Sequence, residues 1–251
     1  MRGKADTNSI SKGVPVNAKQ TLLVVACCFF LEIAAQTPTV MPLASEPHHH
    51  LALHNEYVNV YQVEVAPHDS VLLHRHDVDA ISVMMSDSDV TVHAPGKADV
   101  HQNLTDGQIR RQARGYVHST SIDGDTRYRN VTVELLLPQQ GWRNLCAPVI
   151  AAQPLNCPSE HPGRATQVEQ PQFETDQTQV TVIRVLPHEN VSVGEPNHVA
   201  LIVVLDGGVV GVDGKALPAG GFVWIERGKA AEVLQNTGEK EARVVSFALK
   251  P

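Results

Sequence analysis

His74 and His76 stand one residue apart in Leu72-Leu73-His74-Arg75-His76, and His118 follows 42 residues after His76, in Gly115-Tyr116-Val117-His118. Side chains alternate along a strand, so His74 and His76 face the same side. Two imidazoles so placed can share a divalent metal. A third from a neighbouring strand completes a facial set and leaves open positions for water or substrate. Such a set suits one divalent transition metal: Fe, Mn, Ni, Cu or Zn. Ligation requires neutral imidazole, so activity is expected to fall as the pH drops below the histidine range. Arg75, between the pair, is expected to point away from the site as an outer-face charge.

Histidines spaced like this need strands to hold them. Hydrophobic residues make up 42% of the 251 residues and charged residues 19%, so the chain can build a core and is not globally disordered. Aromatics are only 4%, so the core must rest on Val, Leu, Ile and Ala, and Val favours strands. Alternation predicts strands over residues 57–65, 80–85, 90–93, 108–112 and 131–137, then over 180–185, 199–205, 222–225 and 242–248. Turn signals such as Ala94-Pro95-Gly96 and Asp123-Gly124-Asp125 separate them, and no helical period persists over three turns.

The strands fall into two similar halves. Val65-Ala66-Pro67-His68-Asp69 corresponds to Val185-Leu186-Pro187-His188-Glu189, and Gly107 and Gly115 correspond to Gly220 and Gly228 at the same spacing. Arg129-Asn130-Val131-Thr132-Val133-Glu134 resembles Ala242-Arg243-Val244-Val245-Ser246-Phe247. We therefore expect an all-β protein of two tandem barrels, over residues 50–138 and 172–251. A Pro- and Gln-rich linker is expected over 139–171, and a flexible segment over 36–49.

Residues 1–35 read as a secretory signal: a basic lead (Arg2, Lys4, Lys12, Lys19), an apolar run over 21–31, and small residues before cleavage after Ala35. An uncleaved anchor, or a lipid anchor at Cys27 after Val24-Val25-Ala26, are the other readings. The expected address is extracytoplasmic, periplasmic or secreted, with membrane contact only through the signal or that anchor. Cleavage removes four of the 20 basic and two of the 27 acidic residues, leaving 16 and 25, a net charge of −9. Nucleic acid is thereby excluded as an expected partner. Cys146 and Cys157 remain as an even pair, which in an exported chain reads as a disulfide.

Residues 50–250 resemble the cupin superfamily, and the duplication resembles a bicupin. Gly107, Gly115 and His118 stand at the spacing of the family's second motif, with Ala113 in place of its Pro and Ile122 in place of its Asn. The first motif keeps His74 and His76. His68 replaces its leading Gly, and its Glu falls on Ala80 or Ile81, with Asp79 the nearest acid. The resemblance implies tandem cupin-type double-stranded β-helix (jelly-roll) barrels and a metal held by His74, His76 and His118. Asp79 would be a fourth ligand or the general base. In the second half Gly194, Pro196 and Ala231 take the places of the three histidines, so this barrel is expected to lack a site and to serve structure or a homodimer surface.

The implied chemistry is dioxygenase-like oxidation of a small organic substrate. A non-catalytic barrel holding a small ligand or metal is the alternative, and sugar isomerisation a third. His48-His49-His50 and His54 read as a polar approach to the first strand. Arg110, Arg111 and Arg114 read as a solvated strand face, although Arg110 and Arg114 are within reach of a barrel mouth. Trp142 and Trp224 read as packing residues. No serine-nucleophile elbow, phosphate loop or dinucleotide fingerprint occurs in the sequence.

Overall fold

The computed structural model describes residues 39–157, 167–211 and 214–250. The segment expected as a signal, with Cys27, lies outside the described residues. Among the described residues no helix is long and apolar enough to cross a membrane.

The first half contributes β1 (Met41–Pro42), β2 (His49–His54), β3 (Val58–Val65), β4 (Ser70–Arg75), β5 (Asp79–Met84), β6 (Ser88–His93), β7 (Val100–Leu104), β8 (Ile109–Gln112), β9 (Val117–Ile122) and β10 (Tyr128–Leu135). The second contributes β11 (Arg143–Asn144), β12 (Gln167–Glu174), β13 (Thr178–Val185), β14 (Asn190–Val193), β15 (Val199–Val204), β16 (Val209–Val210), β17 (Ala216–Leu217), β18 (Phe222–Ile225), β19 (Glu232–Asn236) and β20 (Ala242–Leu249).

The duplication extends to strand order, with β1 and β11 the strands that have no counterpart in the other half. One pair of sheets runs β2-β3-β10-β5-β8 and β1-β4-β9-β6-β7. The other runs β11-β12-β13-β20-β15-β18 and β14-β19-β16-β17. Backbone conformation repeats as well. Gly107 and Gly220, and Gly115 and Gly228, all take positive φ, and His68 and His188 do so at 61° and 62°. Only turns demand that conformation, and a histidine tolerates it better than a branched residue does. One correspondence differs from the sequence reading. Met85 N–H donates to the Arg129 carbonyl and Leu205 N–H to that of Arg243, so Arg129 matches Arg243 and not Ala242.

Alternation decides what each strand face buries. Odd-numbered residues of β5 (Ile81, Val83) join Val58, Val60, Val131 and Val133 in a core shared with Phe173, Leu201, Val203 and Phe247 of the second half. The even-numbered face of β5 turns inward, and Met84 packs with Tyr61, Val63, Val90 and Ile122 inside the first barrel. A separate core of Val191, Ile202, Ile225 and Leu234 fills the second barrel. Burying apolar area on both faces of one sheet ties the barrels together.

Two segments differ from expectation. Residues 41–49 are built into the first barrel: β1 runs parallel to β4, and Leu43 is buried in its core. The stretch expected as a linker contributes β11 and most of β12 to the second barrel's larger sheet. Cys146 and Cys157 form a disulfide across eleven residues of it. Trp142 stacks on Phe173, and Trp224 lies near Tyr57 in the shared core, both as packing residues.

Candidate metal centre

His74 is the penultimate residue of β4, His76 follows the strand's end, and His118 lies on β9 as the register partner of His74. His76 continues the pairing beyond the strand, donating its N–H to the Tyr116 carbonyl and accepting from Gly115 N–H. The period of two therefore places both histidines inward, as the sequence reading expects. Ring centroids are 5.1 Å apart for His74–His76, 4.5 Å for His74–His118 and 5.3 Å for His76–His118. One ligand nitrogen from each lies within 4.8 Å of the others.

The His74 tautomer is set by its surroundings. Register shifts between Val71 and His74, and the bulge leaves the Leu72 peptide free of the ladder. His74 Nδ1 lies 2.8 Å from the Leu72 carbonyl, which can only accept, so Nδ1 carries the proton and Nε2 the lone pair. That Nε2 is buried and has no hydrogen-bond partner among the described residues. His76 Nε2 and His118 Nε2 face each other at 3.2 Å. Buried polar atoms are rarely left unpaired. Three imidazole nitrogens converging with a lone pair to spare fit a divalent ion.

Electrostatics agree. Burial, then the neighbouring His74 and His49, pushes His76 down to about 3. Burial, then His74, His76, His49 and Arg110, pushes His118 down to about 2. His74 is also lowered, chiefly by burial. All three rings are thus neutral ligands at ordinary pH.

Asp79 does not join them. It lies on the outward face of β5, where it accepts from Arg111 Nη2 at 2.7 Å. The inward neighbour, Ala80, is fully buried and has no acid to offer. Arg111 also lies over the Trp142 ring at 4.0 Å.

Two residues that the sequence reading set aside reach the site. A cavity of about 20 Å³ is lined by His74, His76 and His118 together with His49, Ser82 and Gln112. That is room for about one water or ion. Beside it opens a cavity of about 260 Å³, lined by Arg110, Tyr116, His118 and Tyr128 among others. Arg110 is the register partner of Ser82, which puts it on the inward face. The expectation of a solvated strand face is corrected for Arg110. Its guanidinium has no hydrogen-bond or ion-pair partner among the described residues. Tyr116 stacks on His118 at 4.7 Å. Burial raises the Tyr116 and Tyr128 hydroxyls, against the opposing pull of Arg110.

Among the described residues the second barrel has no comparable cluster. Gly228 N–H donates to the Pro196 carbonyl as Gly115 does to that of His76, which fixes the register between the halves. Where the first barrel has Ser82, Arg110 and Gln112 facing inward, the second has Ile202, Val223 and Ile225. A Cβ on Gly194 would meet Ile225 Cδ1 at 2.9 Å. His198, near Glu195, is displaced from this interior.

Comparison with solved structures shows the cupin fold in both halves. AerE from Microcystis aeruginosa superposes with a TM-score of 0.59 at 12% identity, covering 85% of this chain and 98% of its own. A salicylate 1,2-dioxygenase variant from Pseudoaminobacter salicylatoxidans, in complex with gentisate, gives 0.53 at 12% identity, covering 77% and 69%. Vicilin from Solanum melongena, which holds different anionic ligands in structurally similar pockets, gives 0.54 at 13% identity, covering 77% and 75%. No protein-family model and no curated protein matches the sequence.

Proposed function

We propose that this is an exported, metal-dependent bicupin whose first barrel acts on a small organic anion by dioxygenase-like oxidation. The observation that carries the proposal is one of adjacency. His118 belongs both to the three-imidazole cluster and to the wall of the 260 Å³ cavity, and the unpaired Arg110 cation lines that same cavity. An anion docked on Arg110 would lie beside the ligand cluster. When bound, a redox-active divalent ion would supply Lewis acidity and reactivity toward dioxygen.

The chain's own residues have separate tasks in this reading. His74, His76 and His118 hold the ion as neutral donors. Arg110 binds the carboxylate, since a guanidinium presents a fork of donors to two oxygens. Tyr116 and Tyr128 remain protonated and offer hydroxyl donors, while Val92 and Leu104 make the wall apolar. Asp79, engaged by Arg111, serves structure. The Cys146–Cys157 bridge supports export, because such bridges persist in oxidising compartments.

A second reading is anion binding without turnover. It is favoured by the lack of any carboxylate among the residues lining either cavity. Oxygen uptake by the Fe(II)-loaded protein, with gentisate and other small carboxylates as probes, separates the two. Uptake that requires a carboxylate and is lost in His118→Ala supports oxidation. A thermal shift with the same compounds and no uptake supports the binding protein. Neither response would sink both.

A further inference from the structure

His49 is the fourth imidazole on the 20 Å³ cavity. It arrives on β2, from outside both histidine motifs, and as the register partner of Val63 it turns into the first barrel. Its side chain is 6% exposed. Its ring centroid is 5.1 Å from that of His74, within the 4.5–5.3 Å that the other three rings keep among themselves.

What holds His49 there is a buried carboxylate. Glu46 accepts from His49 Nδ1 at 2.6 Å, and its side chain has no exposed surface. It also accepts from the His48 amide at 2.9 Å and from the Leu72 amide at 3.1 Å. The Leu72 peptide is the one freed by the bulge, and its carbonyl orients His74. Glu46 therefore braces two imidazoles at once, His49 directly and His74 through the backbone of Leu72. A carboxylate on the far nitrogen of a histidine fixes its tautomer, strengthens it as a donor and is the usual companion of a metal-bound imidazole. A carboxylate one bond removed would also offset the charge of a divalent ion in a buried site.

We propose that His49, held by Glu46, is the fourth protein ligand of the metal centre. The inference rests on the three-histidine reading and adds one group to it. The ligand nitrogens of His74, His76 and His118 lie within 4.8 Å of one another without His49, which lines the same cavity beside His74.

Co(II) titration tests it, using the protein with the exposed His50 and His54 replaced by Asn. Proton NMR of the Co(II)-loaded parent counts shifted, exchangeable imidazole N–H signals. Four are expected, with three in His49→Gln. Co(II) affinity should fall 10- to 100-fold in His49→Gln, the visible Co(II) spectrum should change, and Glu46→Gln should weaken binding in the same direction. Three signals in the parent would overturn the proposal and leave the three-histidine site standing. The count in the parent decides the matter even if a variant fails to fold. A parent that takes up no Co(II) would overturn the metal site as a whole, which is a different failure.

Discussion

His74 and His118 are register partners on adjacent antiparallel strands, with ring centroids 4.5 Å apart. Residues directly opposite across a ladder are the closest side-chain pairs a sheet offers. His118→Ala and His74→Ala should each abolish stoichiometric metal and leave far-UV circular dichroism unchanged. Elemental analysis checks this, with His50 and His54 replaced to remove adventitious binding and His49 retained. Full metal in both variants would refute the site.

Arg110→Gln should leave metal content unchanged and weaken binding of small carboxylates at least 10-fold, since a charge-assisted hydrogen bond contributes roughly 1.5–3 kcal/mol. Thermal shift with and without ligand reads the difference. Arg111 also borders the cavity, but its guanidinium is held by Asp79 and the Trp142 ring, so Arg111→Gln should weaken ligand binding far less than Arg110→Gln.

The metal-free protein should lose stability as the pH falls below 6.5. His76 and His118 sit near 3 and 2 in the fold but titrate near 6.5 once unfolded. The unfolded chain therefore binds more protons across that window, and each such histidine can remove up to about 1.4 kcal/mol per pH unit. Below 4.5 Glu46 adds to the loss. Burial opposes its ionisation, but hydrogen bonds from His49, His48 and Leu72 hold it at about 2. Urea midpoints between pH 7 and 4 test this. A flat profile would contradict it, and His118→Ala should reduce the slope.

Gly107→Ala should destabilise by about 1–2 kcal/mol through its positive φ alone. A Cβ there would also meet Arg243 Nη1 at 2.8 Å, where Arg243 links Asp206 of its own barrel to Asp106 of the other. Gly107→Ala and Arg243→Ala should therefore be non-additive in chemical denaturation. Strict additivity would mean the arginine does not couple the barrels.

Reduction of the Cys146–Cys157 bridge, or Cys146→Ser, should cost about 2–3 kcal/mol for a loop of this length. It should not change Co(II) affinity, because the bridge belongs to the second half. A change in affinity would show the halves to be coupled.

Much of this architecture is legible in the chain because it is local. Val-rich alternation marks β3, β5, β10 and their counterparts, and the Pro-His and Gly turn positions mark the duplication. His74, His76 and His118 are legible because strand parity and motif spacing suffice to bring them together. The strands missed, such as Val117–Ile122 (VHSTSI) and Val100–Leu104 (VHQNL), are mostly polar and carry little periodic signal.

Parity could also have placed Arg110, but only once its partner Ser82 was known, and pairing across 28 residues is a tertiary fact. His49 and Glu46 carry no local signal at all, since a histidine run near a chain's beginning usually lies in solvent. Their position follows from β1 and β2 pairing with β4 and β3, and from a bulge whose free amide seeks a carboxylate. The sequence alone determined the barrels and three converging imidazoles. The tertiary structure decided what surrounds them, because burial and long-range pairing set which polar groups lose water and must find partners.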